Sequence, residues 1–319
     1  MPAALNRFKN VRVLVVGDLV ADHYVYGQTE RVSREAPVLI VRHERDEVKL
    51  GGGANVAANA RALGAKVTAL GVLGRDDMGR AMRKLFSAQE IELIATHSEV
   101  TETKTRVLAG GLSTSRQQML RIDRGAMGPM NAKVSKHLEK SLVEPLKNTD
   151  VVIVSDYGAG VLTPGVRAML KKAASEGVKV CVDSRFSLAE YFAFTVCKPN
   201  EPELSLLTGL SVRTEEALSA AAAKAIEMLG CEWLVVTRGR HGMAVFPREG
   251  RATFLPAHGQ RDAVDVTGAG DTVSATFALA FGSGAAPVEA ARLANVAGSL
   301  VVQKQGTATV TVAELRAAL

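Results

Sequence analysis

Asp265-Val266-Thr267-Gly268-Ala269-Gly270-Asp271-Thr272 opens a long run of small and apolar residues with helical spacing. Its glycines allow unusual dihedrals and close approach of backbone to a ligand. At a helix start the first N–H groups have no intrahelical acceptor. Those donors and the helix dipole favour negative charge, so such a turn can hold the charge that develops in phosphoryl transfer. Asp271 stands at the edge of that pocket, where a carboxylate can take the proton of an attacking hydroxyl. Asp also caps helices, and a bare G-x-G-D does not choose between the two roles. The full D-x-T-G-A-G-D-T favours the catalytic one.

Outward from this turn, short β-branched runs alternate with helical patterns. Residues 11–16, 67–72, 151–155, 178–182, 194–197 and 233–236 read as buried strands. Helices are expected at about 54–63, 79–88, 133–146, 164–176, 201–207, 215–229, 269–281, 287–302 and 312–318. This alternation predicts an α/β fold, Rossmann-like, with a mostly parallel sheet and helices on both faces. The 319 residues form a single domain in this reading. Two stretches, about 25–49 and 101–123, are extended, partly polar and lack a crossover helix. They are expected to pair into a small β-sheet lid beside the active site, excluding water on closure; a β-excursion without function is the alternative.

Two further acidic or glycine-rich stretches fall where ligands of open α/β sheets bind. Gly51-Gly52-Gly53-Ala54-Asn55 precedes a helix, but Val56 breaks the dinucleotide pattern G-x-G-x-x-G, and no Walker A loop occurs. Gly52 and Asn55 can meet a polyhydroxylated ligand, or simply make a tight strand-to-helix turn. Asp18 and Asp22 follow the first strand. Asp22 can bind sugar hydroxyls; Asp18, nearer the strand, reads as structural.

Together these motifs identify the chain as a member of the ribokinase-like, or PfkB, carbohydrate kinase family over essentially its full length. The resemblance rests on Gly51–Asn55 and above all on Asp265–Asp271. It implies an ATP-dependent carbohydrate kinase with Asp271 as base and Gly268, Ala269 and Gly270 as the anion hole. Asp22, Gly52 and Asn55 would touch the sugar. Asn200 and Glu203 match the family N-x-x-E element, which organises water-bound Mg²⁺ near the phosphates. Thr237, Gly239 and Gly242 match its T-x-G-x-x-G nucleotide segment, and Asn295 falls where the family contacts adenine.

Within that family, Gly17-Asp18, residues 22–27, 31–38 and 115–123, Ser155-Asp156-Tyr157 and 305–310 resemble the branch acting on D-glycero-D-manno-heptose 7-phosphate. The implied reaction phosphorylates the anomeric hydroxyl to give the 1,7-bisphosphate, a precursor of ADP-heptose for lipopolysaccharide cores. Relatives that carry a second, nucleotidyl-transferring domain place it after the kinase, whereas this chain ends at Leu319 and so resembles a stand-alone kinase. A phosphorylated substrate needs a cationic clamp, for which Lys104, Arg106 and Arg116 in the lid strands are the candidates. Asp183 and Lys198 are further residues able to face the cleft. One departure stands out: residues 106–116 are longer and more glycine-rich than the family pattern. Another family kinase (for ribose, fructose, fructose phosphate or a nucleoside) and a non-catalytic sugar or nucleotide sensor on the same fold are the alternatives.

Composition agrees with this frame. Hydrophobic residues make up 47% and charged residues 23%, as in ordinary globular chains. The net charge of +6 comes without a basic block, and aromatics are only 4%, so no nucleic-acid partner is expected. Three cysteines, none in a C-x-x-C pair, argue against a disulfide framework or zinc site and for a reducing compartment. With no signal-peptide pattern and no membrane-length apolar run, the expectation is a cytoplasmic enzyme without membrane partners. Exposed apolar lid residues such as Val38 and Leu120 predict a homodimer through paired lids.

Overall fold

The computed structural model describes residues 2–111, 116–125, 130–259 and 262–319. The elements run, in chain order, α1 (Pro2–Arg7), β1 (Arg12–Gly17), β2 (Leu19–Val32), β3 (Leu39–Gly52), α2 (Gly53–Ala62), β4 (Lys66–Gly74), α3 (Asp77–Ala88), β5 (Glu92–Ser98), β6 (Thr103–Gly110) and β7 (Gln117–Arg124). They continue with α4 (Ala132–Lys147), β8 (Val151–Asp156), α5 (Pro164–Ser175), β9 (Lys179–Ser184), β10 (Val196–Cys197), α6 (Glu201–Thr208), α7 (Glu215–Leu229), β11 (Trp233–Thr237), β12 (Met243–Pro247), β13 (Thr253–Leu255), α8 (Ala269–Gly282), α9 (Pro287–Val301) and α10 (Val312–Ala317).

Nine strands form the main sheet in the order β13-β12-β11-β10-β9-β8-β1-β4-β5. From β11 to β5 every pairing is parallel; β12 and β13 add an antiparallel edge. The alternation of side chains across the pleat explains why these strands read as unbroken apolar runs. Val13, Val15, Val151 and Ile153 point into a core with α1, α2, α3, α8, α9 and α10. Leu14, Val16, Val152 and Val154 point into a second core with α4, α5, α6 and α7. Helix α8 is buried from Asp271 to Phe281, which its small and apolar residues permit. Truncating Phe277 there would cost about 3–5 kcal/mol.

The smaller sheet has the order β3-β2-β6-β7. It is mixed: β2 pairs β3 antiparallel and β6 parallel, and β6 pairs β7 antiparallel. It grows from the carboxyl ends of the main strands, since β2 begins two residues after β1 ends and β6 follows β5. The two expected excursions are thus real, though β2 and β3 run deeper into the body than 25–49. Residues 112–115, which include part of the 106–116 departure and Ser115 of the heptose-like stretch, lie outside the described residues. Strands β5, β12 and β13 and helix α1 were not expected, and the strand at 194–197 shortens to Val196–Cys197. β5 is a polar edge strand of mostly intermediate burial, so it lacks the continuous apolar run that marks its neighbours.

Candidate active site

The chain turns into α8 through Gly268, whose φ of +76° suits glycine. A Cβ there would also lie 2.6 Å from the Asn55 side-chain nitrogen. The turn leaves the amides of Gly268, Gly270 and Asp271 without an acceptor among the described residues. The Ala269 amide instead donates to the Val266 carbonyl at 3.2 Å. Of the expected anion-hole amides 268–270, that of Ala269 is therefore already paired, while the Asp271 amide, which was not expected there, is open. Space above Gly270 is open, with nothing within 4 Å of a Cβ built there.

Asp271 is 4% exposed and its carboxylate is held from two sides. Asn55 donates to Oδ2 at 2.7 Å and the Tyr157 hydroxyl to Oδ1 at 2.6 Å. Burial pushes the Asp271 carboxyl up to about 7; the bonds from Tyr157 and Asn55 oppose this, and Asp183 and Asp22 add to it. Asn55 also accepts from Asn59 at 3.1 Å, and Thr272 donates to Asn59 at 2.9 Å. This buried chain of amides fixes α2 against α8 and points Asn55 at the carboxylate. Asn55, expected at the sugar, is thus found holding the Asp271 carboxylate.

Asp18 confirms its structural reading. Its buried carboxylate accepts the amides of Tyr157, Ala159 and Val161 at 2.7, 3.0 and 3.2 Å. The loop that presents Tyr157 is thereby hung from the end of β1. Burial raises this carboxyl to about 6 against those bonds. Gly52 makes the entry into α2 with φ of +54°, and a Cβ there would lie 2.8 Å from the Asp18 carbonyl.

Register carries Asp22 opposite Lys104 on β6 and Tyr24 opposite Arg106. Asp22 accepts from Arg106 at 2.6 Å and from Thr307 at 2.9 Å. Arg106 is thus occupied by a carboxylate. Arg116 pairs with Glu44 at 2.6 Å, half exposed, at the rim of the small sheet. Lys104 does face inward: its ammonium lies 4.8 Å from the centroid of the Tyr157 ring. Of the three expected clamp residues only Lys104 is left uncommitted. Asp183 accepts from Ser274 at 2.6 Å and from the buried Lys198 at 3.0 Å, and its charge acts on Asp271.

The expected nucleotide residues gather further along the sheet. Thr237 ends β11 and bridges Asn200. Gly239 and Gly242, both at positive φ, turn the chain into β12. A cavity of about 320 Å³ lies beyond, lined by Leu255, Pro256, His258, Asn295 and Val296. Asn295 donates to the Pro256 carbonyl at 2.6 Å. A larger cavity of about 660 Å³ lies beyond Asp18, between the ends of β4 and β5 and the start of α4; Asp271 does not line it. Asn200 and Glu203 form a reciprocal capping box on α6, with bonds of 2.8 and 2.9 Å. One Glu203 oxygen remains outside that box. Among the described residues no group of three or more His, Cys, Asp and Glu is arranged to hold a metal directly. A cation resting here through water fits that donor set.

Sequence reasoning missed Tyr157, Asn59 and Thr307. Tyr157 was quoted only as part of a resemblance, and nothing local marks it as a partner of a carboxylate 114 residues away.

Comparison with known proteins agrees with the geometry. The family model of the pfkB family carbohydrate kinases matches residues 11–314. The chain is 40% identical over 318 residues to bifunctional protein HldE of Trichlorobacter lovleyi, covering 98% of this chain and 64% of that one. It is 41% identical to HldE of Caulobacter vibrioides, covering 97% and 64%. The chain thus spans about two thirds of these curated relatives. Ribokinase of Arabidopsis thaliana, solved with ribose and ATP, superposes with a TM-score of 0.76 at 25% identity, covering 97% and 98%. Phosphofructokinase-2 of Escherichia coli superposes with a TM-score of 0.79 at 19% identity, covering 96% and 97%, a likeness of fold. Family model, topology and the Asp271 turn agree: this chain belongs to the pfkB family of carbohydrate kinases and is an ATP-dependent sugar kinase.

Proposed function

We propose that the acceptor is D-glycero-D-manno-heptose 7-phosphate and that Asp271 activates its anomeric hydroxyl, giving the 1,7-bisphosphate. The observation that carries the catalytic part is the carboxylate of Asp271, raised towards neutrality beside unpaired amides. A base with a pKa near the working pH is efficient in proton transfer. The acceptor hydroxyl would replace Tyr157 at Oδ1 and pass its proton to Asp271 as it attacks the γ-phosphorus in line. The amides of Gly268, Gly270 and Asp271 would take the charge on the transferring oxygens. Asn55 would keep the carboxylate aimed while Asp22 and Gly52 border the sugar.

ATP would lie along Thr237, Gly239 and Gly242 with its base towards Asn295. Glu203 and Asn200 would hold Mg²⁺ through water, with Asp183 adding negative charge; the ion would offset phosphate charge. The small sheet would act as the lid of a single kinase domain. The heptose reading is supported by the 40% identity to HldE and by the heptose-like stretches around Asp22 and Tyr157. Work on a soluble sugar phosphate fits a cytoplasmic site of action and a role in lipopolysaccharide core assembly. Among the described residues no helix is long and apolar enough to cross a membrane.

Val32, Val38, Leu39, Leu120 and Ile122 are exposed on the small sheet. They support pairing of two lids in a homodimer, to be read by sedimentation; a monomer at micromolar concentration would refute it. The substrate is tested by mass spectrometry of products from ATP, Mg²⁺ and a panel of free and phosphorylated sugars. Heptose 1,7-bisphosphate as the dominant product is expected. Turnover confined to ribose, fructose, fructose phosphate or nucleosides would transfer the assignment to another branch of the family.

A further inference from the structure

Gly306 and Thr307, in the turn after α9, touch both halves of the site. On the body side the Gly306 amide donates to Oδ2 of Asp265 at 2.8 Å, and the Thr267 amide donates to Oδ1 of the same carboxylate at 2.9 Å. Asp265 opens the stretch that leads into Asp271. On the small-sheet side the Thr307 hydroxyl donates to Oδ2 of Asp22 at 2.9 Å. A carboxylate paired with a guanidinium only accepts, and a hydroxyl has one proton to give, so the remaining directions follow. The Tyr24 hydroxyl donates to Oγ1 of Thr307 at 2.9 Å and accepts the Thr307 amide at 3.2 Å. Asp22, Tyr24 and Thr307 are all buried. The other Asp22 oxygen, Oδ1, is held by Arg106 at 2.6 Å. Each oxygen thus takes a bond from the protein and keeps acceptor capacity for a ligand hydroxyl. Bonds to an ionised acceptor are short and strong, so together they hold the carboxylate in one orientation.

We propose that Thr307 is a positioning residue for the acceptor: from the main body it fixes the Asp22 carboxylate in the orientation that receives the sugar hydroxyls. This rests on the reading that Asp22 borders the sugar, whichever sugar that is, and deepens it. Arg106 does not fill the same role. It lies on β6, beside β2 in the same small sheet, so its bond to Asp22 ties the small sheet to itself. Thr307 stands 285 residues from Asp22 in sequence and comes from the body, on a turn that Gly306 and Asp265 join to the start of α8. It therefore registers the sugar side of the small sheet against the turn that carries Asp271.

The test is steady-state kinetics of wild type, Thr307→Val, Thr307→Ser, Asp22→Asn and the Asp22→Asn, Thr307→Val double variant. The acceptor is the sugar that the wild type turns over best, and sugar and ATP are varied in turn. The quantity read is KM for the sugar, which a smaller folded fraction does not change. Thr307→Val removes the donor at nearly constant volume. It is expected to raise KM for the sugar about 10-fold or more, the scale of a lost hydrogen bond to a charged group, with KM for ATP within about 2-fold of wild type. Thr307→Ser keeps the hydroxyl and should recover most of the loss. Because Thr307 acts through Asp22, the double variant should lie within about 2-fold of Asp22→Asn alone. A sugar KM unchanged in Thr307→Val, a serine variant as impaired as the valine one, or additive losses in the double variant would overturn the proposal while Asp22→Asn stays impaired. A wild-type sugar KM in Asp22→Asn would instead overturn the sugar-side reading of Asp22, and the proposal with it.

Discussion

The Tyr157 hydroxyl donates to Oδ1 of Asp271 at 2.6 Å, and the two residues stand at the ends of different elements, β8 and the start of α8. In the proposed mechanism the tyrosine thus occupies the oxygen to which the acceptor hydroxyl would come. It also favours the ionised acid, partly offsetting the cost of burial.

Removing that bond should therefore raise the pKa of the base. Tyr157→Phe is expected to shift the acidic limb of the kcat/KM profile upward by about half a unit or more, one unit corresponding to about 1.4 kcal/mol. An unshifted limb would show that the tyrosine does not act on the carboxylate. A profile of wild type and variant between pH 5.5 and 9 reads this directly.

The wild-type profile carries its own expectation. Asp271 must be ionised to accept a proton, and burial has raised its pKa to about 7. Activity should rise with pH through an apparent pKa near 7 and flatten above it. A limb near 4, where an exposed carboxylate titrates, would place the base elsewhere.

Stability should run the other way. A folded-state pKa raised from 3.8 to about 7 means that the fold prefers the protonated acid. That contribution is complete below the unfolded pKa and is lost as pH rises through 7. Asp271→Asn removes the titration, so its Tm relative to wild type should increase between pH 5.5 and 8.5, by about 2 °C or more. A constant difference across that range would refute the buried-acid picture.

Asp22 and Arg106 form a second test. Both side chains are largely buried, at 7% and 12% exposure. Arg106→Met strands the carboxylate and should cost about 3 kcal/mol, the scale found when one partner of a buried pair is lost. Asp22→Asn added to it should recover much of that loss. Additive losses in chemical denaturation would mean the pair is not coupled.

How much of this was written in the chain depends on how local the signal is. The Gly268–Asp271 turn was legible because motif and helix start coincide within a few residues. Strands of the main sheet were legible because both of their faces are covered, which makes them continuously apolar. β12 and β13 are short and antiparallel at the sheet edge and carry no such run. The Asn200–Glu203 spacing reads equally as a capping box and as a phosphate-side element, and the geometry displays the cap. Arg106 was offered to the substrate because β2 and β6 register is invisible in a linear reading; once Tyr24 faces Arg106, Asp22 is within its reach. Tyr157 follows the end of β8 and carries no pattern of its own; only the fold brings it to Asp271.

The central claim is that Asp271 takes the proton from the acceptor hydroxyl. Rapid-quench measurement of a single turnover, with Asp271→Asn against wild type at pH 8 and saturating ATP and sugar, isolates the transfer step. The account predicts a fall of about 10²-fold or more in that rate, and a rate within a few-fold of wild type would contradict it.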